Sequence, residues 1–327
     1  MGGIRDIVTV DWVKKAYGFG FPYTDDDGFA FPDALWEITI ESAIDTMEAE
    51  FGVELANGVG VFTDRHDVTD RDGGMYFLKR LNRHPVQEIL SLEWQWADWP
   101  GTPLPISWIQ LREWRIGQFQ ILPGQESAAL PLQVGLPYQG LGGWSSYTPG
   151  LYTTRYRAGF EEPIPGTLSA TVGTNVVTGV GTSFLEESPE GEVVHRSIIR
   201  AGRHIEIGGE IHQIRRVNSD TSLTTVAVMA GTHAGVAGQY LGYPPAMLDA
   251  VGLAAYMLPG DTQGDLIVGA GIANTSCSFD GLSTSIGTTS SATNAGLGAK
   301  LINYSKRLKA RVALLHRHWT APEIQIL

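Results

Sequence analysis

The chain has 327 residues, 43% hydrophobic and 18% charged, enough for one large domain or two ordinary ones with a real core. Its 23 Lys+Arg against 35 Asp+Glu give a net charge of −12, which argues against a surface built to grip phosphates, because nucleic-acid affinity comes mostly from cationic neutralisation. The lone Cys277 excludes an intrachain disulfide or a cysteine-based metal site and suits a reducing cytoplasm, while neither a signal peptide at Met1-Gly-Gly-Ile-Arg-Asp6 nor a membrane span of about 18 apolar residues is visible.

Val10–Tyr17 reads as a short helix, ended by Gly18-Phe-Gly-Phe-Pro22. Thr24-Asp-Asp-Asp-Gly28 is acidic like a calcium loop but lacks the alternating ligands and the distant Glu, so it reads as a solvated loop. Asp33–Phe51 is the clearest helix of the first half. Leu35, Ile38, Ile44, Met47 and Phe51 form its apolar face, and Glu37, Glu41, Asp45 and Glu48 a solvated acidic face. Asp64-Arg-His-Asp67 and Asp70-Arg-Asp72 read as a charged turn before Gly73-Gly74. No His-x-x-x-His frame there would support a metal on His66, Asp67 and Asp72.

From Met75 the rhythm changes to period two. Tyr76–Leu78, Val86–Trp96, Trp108–Arg112 and Arg115–Leu122 read as strands, interrupted by Pro100, Pro103 and Pro105. Five of the nine tryptophans lie between Trp94 and Trp114; packing within a sheet outweighs a sugar-binding platform as their explanation. Leu130–Gly150 is a Pro/Gly/Ser-rich loop, after which Tyr152–Tyr156 returns to strand.

A seam follows. Arg155-Tyr-Arg-Ala-Gly-Phe160 ends a strand at Gly159, and Tyr243-Pro-Pro-Ala-Met-Leu-Asp-Ala-Val251 starts a helix, with Pro245 in its first turn and Met247, Leu248, Val251, Ala254 and Ala255 on one face. Between the two lie short β runs with glycine turns, with Ile205, Ile207, Ile211 and Val217 expected to point inward. The fold class expected is therefore α+β: a helical and β-sheet core in two parts, 1–163 and 243–327, interrupted by a small all-β insertion at 164–242, barrel- or sandwich-like. His204 and His212 flank the Gly208-Gly209 turn, but a cross-strand surface pair explains them better than a metal site with no third ligand.

Past a break expected at Gly260–Gly271, the Ser/Thr/Gly-rich tract Gly271–Gly298 would make a poor core and a good extended contact segment. Cys277, Phe279, Asp280, Leu282, Ile286 and Asn294 are its candidate intersubunit residues. Gly-x-Ser-x-Gly is absent, and no histidine lies near Cys277 in sequence. Ala299–Arg311 is helical and basic. The tail beyond it offers Arg311, Leu314, Leu315, His316, Arg317, His318, Trp319, Ile324 and Ile326 as candidate docking residues.

Four segments carry a resemblance: Arg83-His-Pro-Val-Gln-Glu-Ile-Leu-Ser-Leu92, Gly117-Gln-Phe-Gln-Ile121, Tyr156-Arg-Ala-Gly-Phe160 and Pro245-Ala-Met-Leu-Asp-Ala-Val251. In this order they are similar to tailed-bacteriophage head-to-tail connector (adaptor, neck) proteins, and Gly271–Ala295 resembles segments of large phage structural proteins. The resemblance implies a non-enzymatic virion protein made in the host cytoplasm. Twelve copies would form a ring between the portal protein and a tail or tail-terminator protein, without cofactor, metal or membrane. DNA would cross the lumen during ejection without specific binding, the tail above would dock the portal, and the polar tract would touch neighbouring subunits. A carbohydrate-binding or depolymerising tail-fibre or tail-spike protein is the alternative, motivated by the tryptophans and the β-rich middle; it would need two carboxylates converging in a cleft.

Overall fold

The computed structural model describes residues 3–18, 30–69, 78–95, 101–121, 147–184, 199–268, 274–279, 282–287 and 296–319. The acidic stretch Thr24–Gly28, Asp72, Trp96, Trp99, Asp280, Asn294, Ile324 and Ile326 lie outside them. The chain mixes helices with a larger share of strand and includes a closed six-stranded barrel. It divides into two units: Gly52–Tyr243 with Trp319–Leu327, and Gly2–Phe51 with Pro244–His318.

In the first unit, β1 (Val59–Thr69), β3 (Val86–Trp94), β4 (Thr102–Leu104) and β7 (Tyr147–Gly159) form an antiparallel sheet in the order β1-β7-β3-β4. A second sheet has the order β2-β6-β5, from β2 (Leu78–Arg80), β5 (Ile109–Glu113) and β6 (Gln118–Ile121). One apolar cluster joins them, with Val86, Ile89, Leu92 and Tyr156 from the first sheet and Ile109, Phe119 and Ile121 from the second. Trp108 is buried in this cluster and Trp94 packs against it, so both serve the core.

The charged stretch at 64–67 is strand, not turn. Alternation turns Asp64 and His66 inward and leaves Arg65 exposed. Burial of Asp64 is offset by two donors, the Tyr156 hydroxyl at 2.8 Å and the Asn82 amide at 2.7 Å. His66 meets the edge of Phe119, with ring centroids 5.1 Å apart.

The barrel comprises β8 (Glu161–Ala170), β9 (Val176–Val180), β10 (His204–Ile207), β11 (Glu210–Ser219), β12 (Ser222–Thr225) and β13 (His233–Leu241), closed in the order β10-β11-β12-β9-β8-β13. Closure leaves no free sheet edge. Leu168, Val177, Ile205, Ile207, Ile214 and Leu223 fill the interior. The inward residues of β11 are His212 and Ile214, while Ile211 is only half-buried, because β11 pairs Ile205 with His212 and Ile207 with Glu210.

In the second unit, a one-turn 3-10 helix (Ile4–Asp6) and α1 (Val10–Val13) precede α2 (Asp33–Phe51), α3 (Pro245–Val268) and α4 (Gly296–Trp319). The expected first helix passes into a π-helical stretch, Lys14–Gly18, after α1. The break expected at Gly260 is absent: α3 continues through Pro259 to Val268, since a proline removes one intrahelical bond and the turns on either side keep theirs. Residues 274–279 and 282–287 pair as an antiparallel hairpin, β14 and β15.

Candidate interaction surfaces

The strand half of the seam, through Tyr243, lies within the first unit, and its helix half, from Pro244, within the second. Gly242 N–H donates to Phe160 O at 2.8 Å, and Leu241 pairs with Glu161, so the chain leaves for the barrel and returns from it at neighbouring backbone positions. Glu161, 2% exposed, is the buried charge of this junction. Its carboxylate accepts from the Tyr243 hydroxyl at 3.1 Å and from Gln239 Nε2 at 2.8 Å. Gln87, at a register shift in β3, donates to Gly159 O and Glu161 O at 3.0 and 2.8 Å, stitching sheet to barrel. Two glycines admit this approach. A Cβ on Gly159 would lie 2.2 Å from Gly58 O, and one on Gly58 would lie 2.0 Å from the Glu161 carboxyl carbon; both residues have positive φ.

Trp319 belongs to the first unit and is buried. Its ring stacks on His84 at 5.9 Å and meets Phe160 edge-on at 5.3 Å; its carbonyl accepts from Arg80 Nη2 at 2.8 Å. The same nitrogen lies 3.0 Å from His84 Nε2. A guanidinium can only donate, so His84 is neutral with its proton on Nδ1. Burial, then the charges of Arg80 and Arg83, pull the His84 pKa down to about 3.

The second unit holds the other residues of interest. Asp249 of α3 accepts from the Tyr17 hydroxyl at 3.0 Å, Arg307 Nη2 at 2.6 Å and Arg311 Nε at 2.8 Å. Rings of Tyr17, Trp36, Tyr256 and Tyr304 pack beside it at centroid distances of 5.7–6.2 Å. Burial and Asp249 push the Tyr17 hydroxyl pKa up. His316 Nε2 lies 2.6 Å from Glu50, and its ring meets Phe51. Of the docking residues expected from sequence, Arg311, His316 and Trp319 thus make contacts within their own units and Leu315 is buried, while Leu314 (50% exposed) and Arg317 face outward. For Cys277, Phe279, Leu282 and Ile286 the structure gives the hairpin backbone, which pairs Cys277 with Thr284 and Phe279 with Leu282.

Two outward faces stand out; of their residues Leu314 and Arg317 were expected from sequence as part of a docking tail, and the α2 face was not recognised as a site. Along α2 the buried stripe is Trp36, Ile40, Ala43, Ile44, Met47 and Phe51. Leu35 and Ile38, expected in that stripe, are instead 43% and 61% exposed. Ile38 joins Glu37, Glu41 and Asp45 along a groove of about 930 Å³ whose opposite wall is Arg5, Val8 and Val10. Glu41 is ion-paired with Arg5. On α4, Lys306, Lys309, Ala310, Ala313, Leu314 and Arg317 form an exposed stripe at helical spacing. Trp36 was the signal to read: moving the apolar stripe by one residue onto it expels Leu35 and Ile38.

At one end of the barrel, Glu210 accepts from His212 and His233, each at 3.0 Å, and from the Ala230 amide at 2.9 Å. These bonds, His212 first, hold the Glu210 pKa down at about 2. His204 is opposite Gln213 on the other face of the hairpin from His212, so the two histidines do not converge. Among the described residues no group of three His, Cys, Asp or Glu could hold a metal ion. No helix described is long and apolar enough to cross a membrane. No protein-family model matches the chain, and no curated protein matches it.

Proposed function

We propose that this chain is a structural virion protein of the head-to-tail connector type, forming a ring between portal and tail through which DNA passes. The supporting observation is the seam. The segments that carry the resemblance take up three strands (β3, β6, β7) and the start of a helix (α3), and Phe160 and Gly242 are hydrogen-bonded across the barrel that separates them in sequence. In this reading the connector core is the sheets and helices, the barrel is a guest module carried at the seam, and the net charge of −12 keeps DNA mobile in a lumen that does not grip it. Residues 320–327, beyond the anchored Trp319, are the portal hook.

Negative-stain imaging of the purified chain, alone and mixed with its portal protein, tests the reading. Rings that cap the portal are expected; trimers would favour the tail-spike alternative, and isolated monomers that ignore the portal would defeat the connector reading. Deleting Pro322–Leu327 is expected to abolish portal binding while leaving the rings intact; unchanged binding would remove the hook.

A further inference from the structure

The α2 groove and the α4 stripe are complementary in charge and in apolar character. The groove offers Glu37 and Asp45 around exposed Ile38, with Leu35 beside it. The stripe offers Lys306, Lys309 and Arg317 around exposed Leu314. Other charges on these helices are already engaged: Arg307 and Arg311 on Asp249, Glu41 on Arg5, His316 on Glu50. Glu37, Asp45, Lys306, Lys309 and Arg317 make no ion pair among the described residues. The chain as a whole carries −12, so two copies repel unless a basic patch on one meets an acidic patch on the other. The two patches lie on different helices of one chain; a contact that uses one patch from each of two copies is heterologous and, repeated, closes into a ring or runs on as a filament, whereas a two-fold pair would use both patches of each copy at once.

We infer that the outer stripe of α4 docks along the acidic α2 groove of the next copy of this chain, with Leu314 set against Ile38 and the lysines and arginine against Glu37 and Asp45. The inference rests on the connector reading and names the surfaces through which its copies meet. Each exposed ion pair is worth little alone, and the pairs act together with apolar burial at Leu314 and Ile38. Their main effects are on choice of partner and register.

Paired charge reversal tests it. One variant carries Glu37→Lys and Asp45→Lys; another carries Lys306→Glu, Lys309→Glu and Arg317→Glu. All five side chains are outward, and a thermal melt of each variant checks that it folds. Sedimentation velocity of the full chain is read over a concentration series in about 0.1 M and about 1 M salt, where the screening length falls from about 10 to about 3 Å. The wild type is expected to assemble and to weaken in high salt. Each variant alone should need roughly tenfold or more protein to assemble, and an equimolar mixture of the two should assemble again, because the acidic stripe of one faces the basic groove of the other and the basic stripe faces the acidic groove; a mixture that stays apart would overturn the pairing. The chain carrying all five reversals should assemble again. Single variants that assemble like wild type would overturn this pairing of faces and leave the ring reading standing. A five-fold variant that stays monomeric would overturn it too. A wild type that remains monomeric throughout would overturn the pairing and the ring reading together.

Discussion

Single buried histidines set a pH dependence for this fold. Burial brings His66 and His204 down to about 4 and, with two arginines, His84 to about 3. Below the ordinary histidine value of about 6.5 the unfolded chain takes up protons that the folded chain refuses. The unfolded state then binds more protons, so stability falls as pH falls. The loss should run from about pH 6.5 down to about pH 4, at about 1.4 kcal/mol per pH unit for each histidine involved, and continue for His84 to about pH 3. Chemical denaturation at a series of pH values measures the slope. His84→Gln should flatten it by about one histidine's share, and an unchanged slope would mean that His84 is solvated. At the seam, Tyr243→Phe removes the hydroxyl donor to Glu161 and should cost about 1–3 kcal/mol, because the carboxylate stays buried with one donor fewer.

Individual elements show what one sequence reveals and what it conceals. Period-two runs located β3, β5 and β6, and glycine turns marked the barrel strands, because alternation and backbone freedom are local properties. β1 was concealed: Asp64 looks like a turn residue until Tyr156 and Asn82, distant in sequence, supply the donors that let it go inside, and His66 follows by packing on Phe119. The same limit hid the register of β11, where His212 and Ile214 take the inward side and His212, His233 and the Ala230 amide meet Glu210 at the barrel end. Of the candidate site residues, Arg311 and Trp319 looked available on a basic, apolar tail; Asp249, the partner of the first, and His84 and Phe160, the partners of the second, are remote in the chain. Two substitutions test the elements themselves. Gly159→Ala sets a Cβ against backbone at positive φ, with no flexible side chain to give way, and should lower the unfolding temperature of the sheet and barrel unit or prevent its folding. Leu223→Ala, at the barrel centre, should cost about 2–5 kcal/mol by denaturant titration, as for other buried leucines.

For the molecule as a whole, both units expose apolar side chains, Val172, Val180 and Val228 on the sheet-and-barrel unit and Leu35, Ile38 and Leu314 on the helical one. The barrel has closed its own edges, and the cluster between the two sheets is buried within one chain. The helical unit keeps an exposed isoleucine in an acidic groove and an exposed leucine in a basic stripe. Apolar side chains set in two patches of opposite charge fit a protein whose outer faces meet other copies. Native mass spectrometry of the intact chain, over a range of concentrations and at low salt, tests that most directly. The account predicts one dominant closed species, twelve times the mass of a single chain by the connector resemblance. A single-chain mass at every concentration would contradict it.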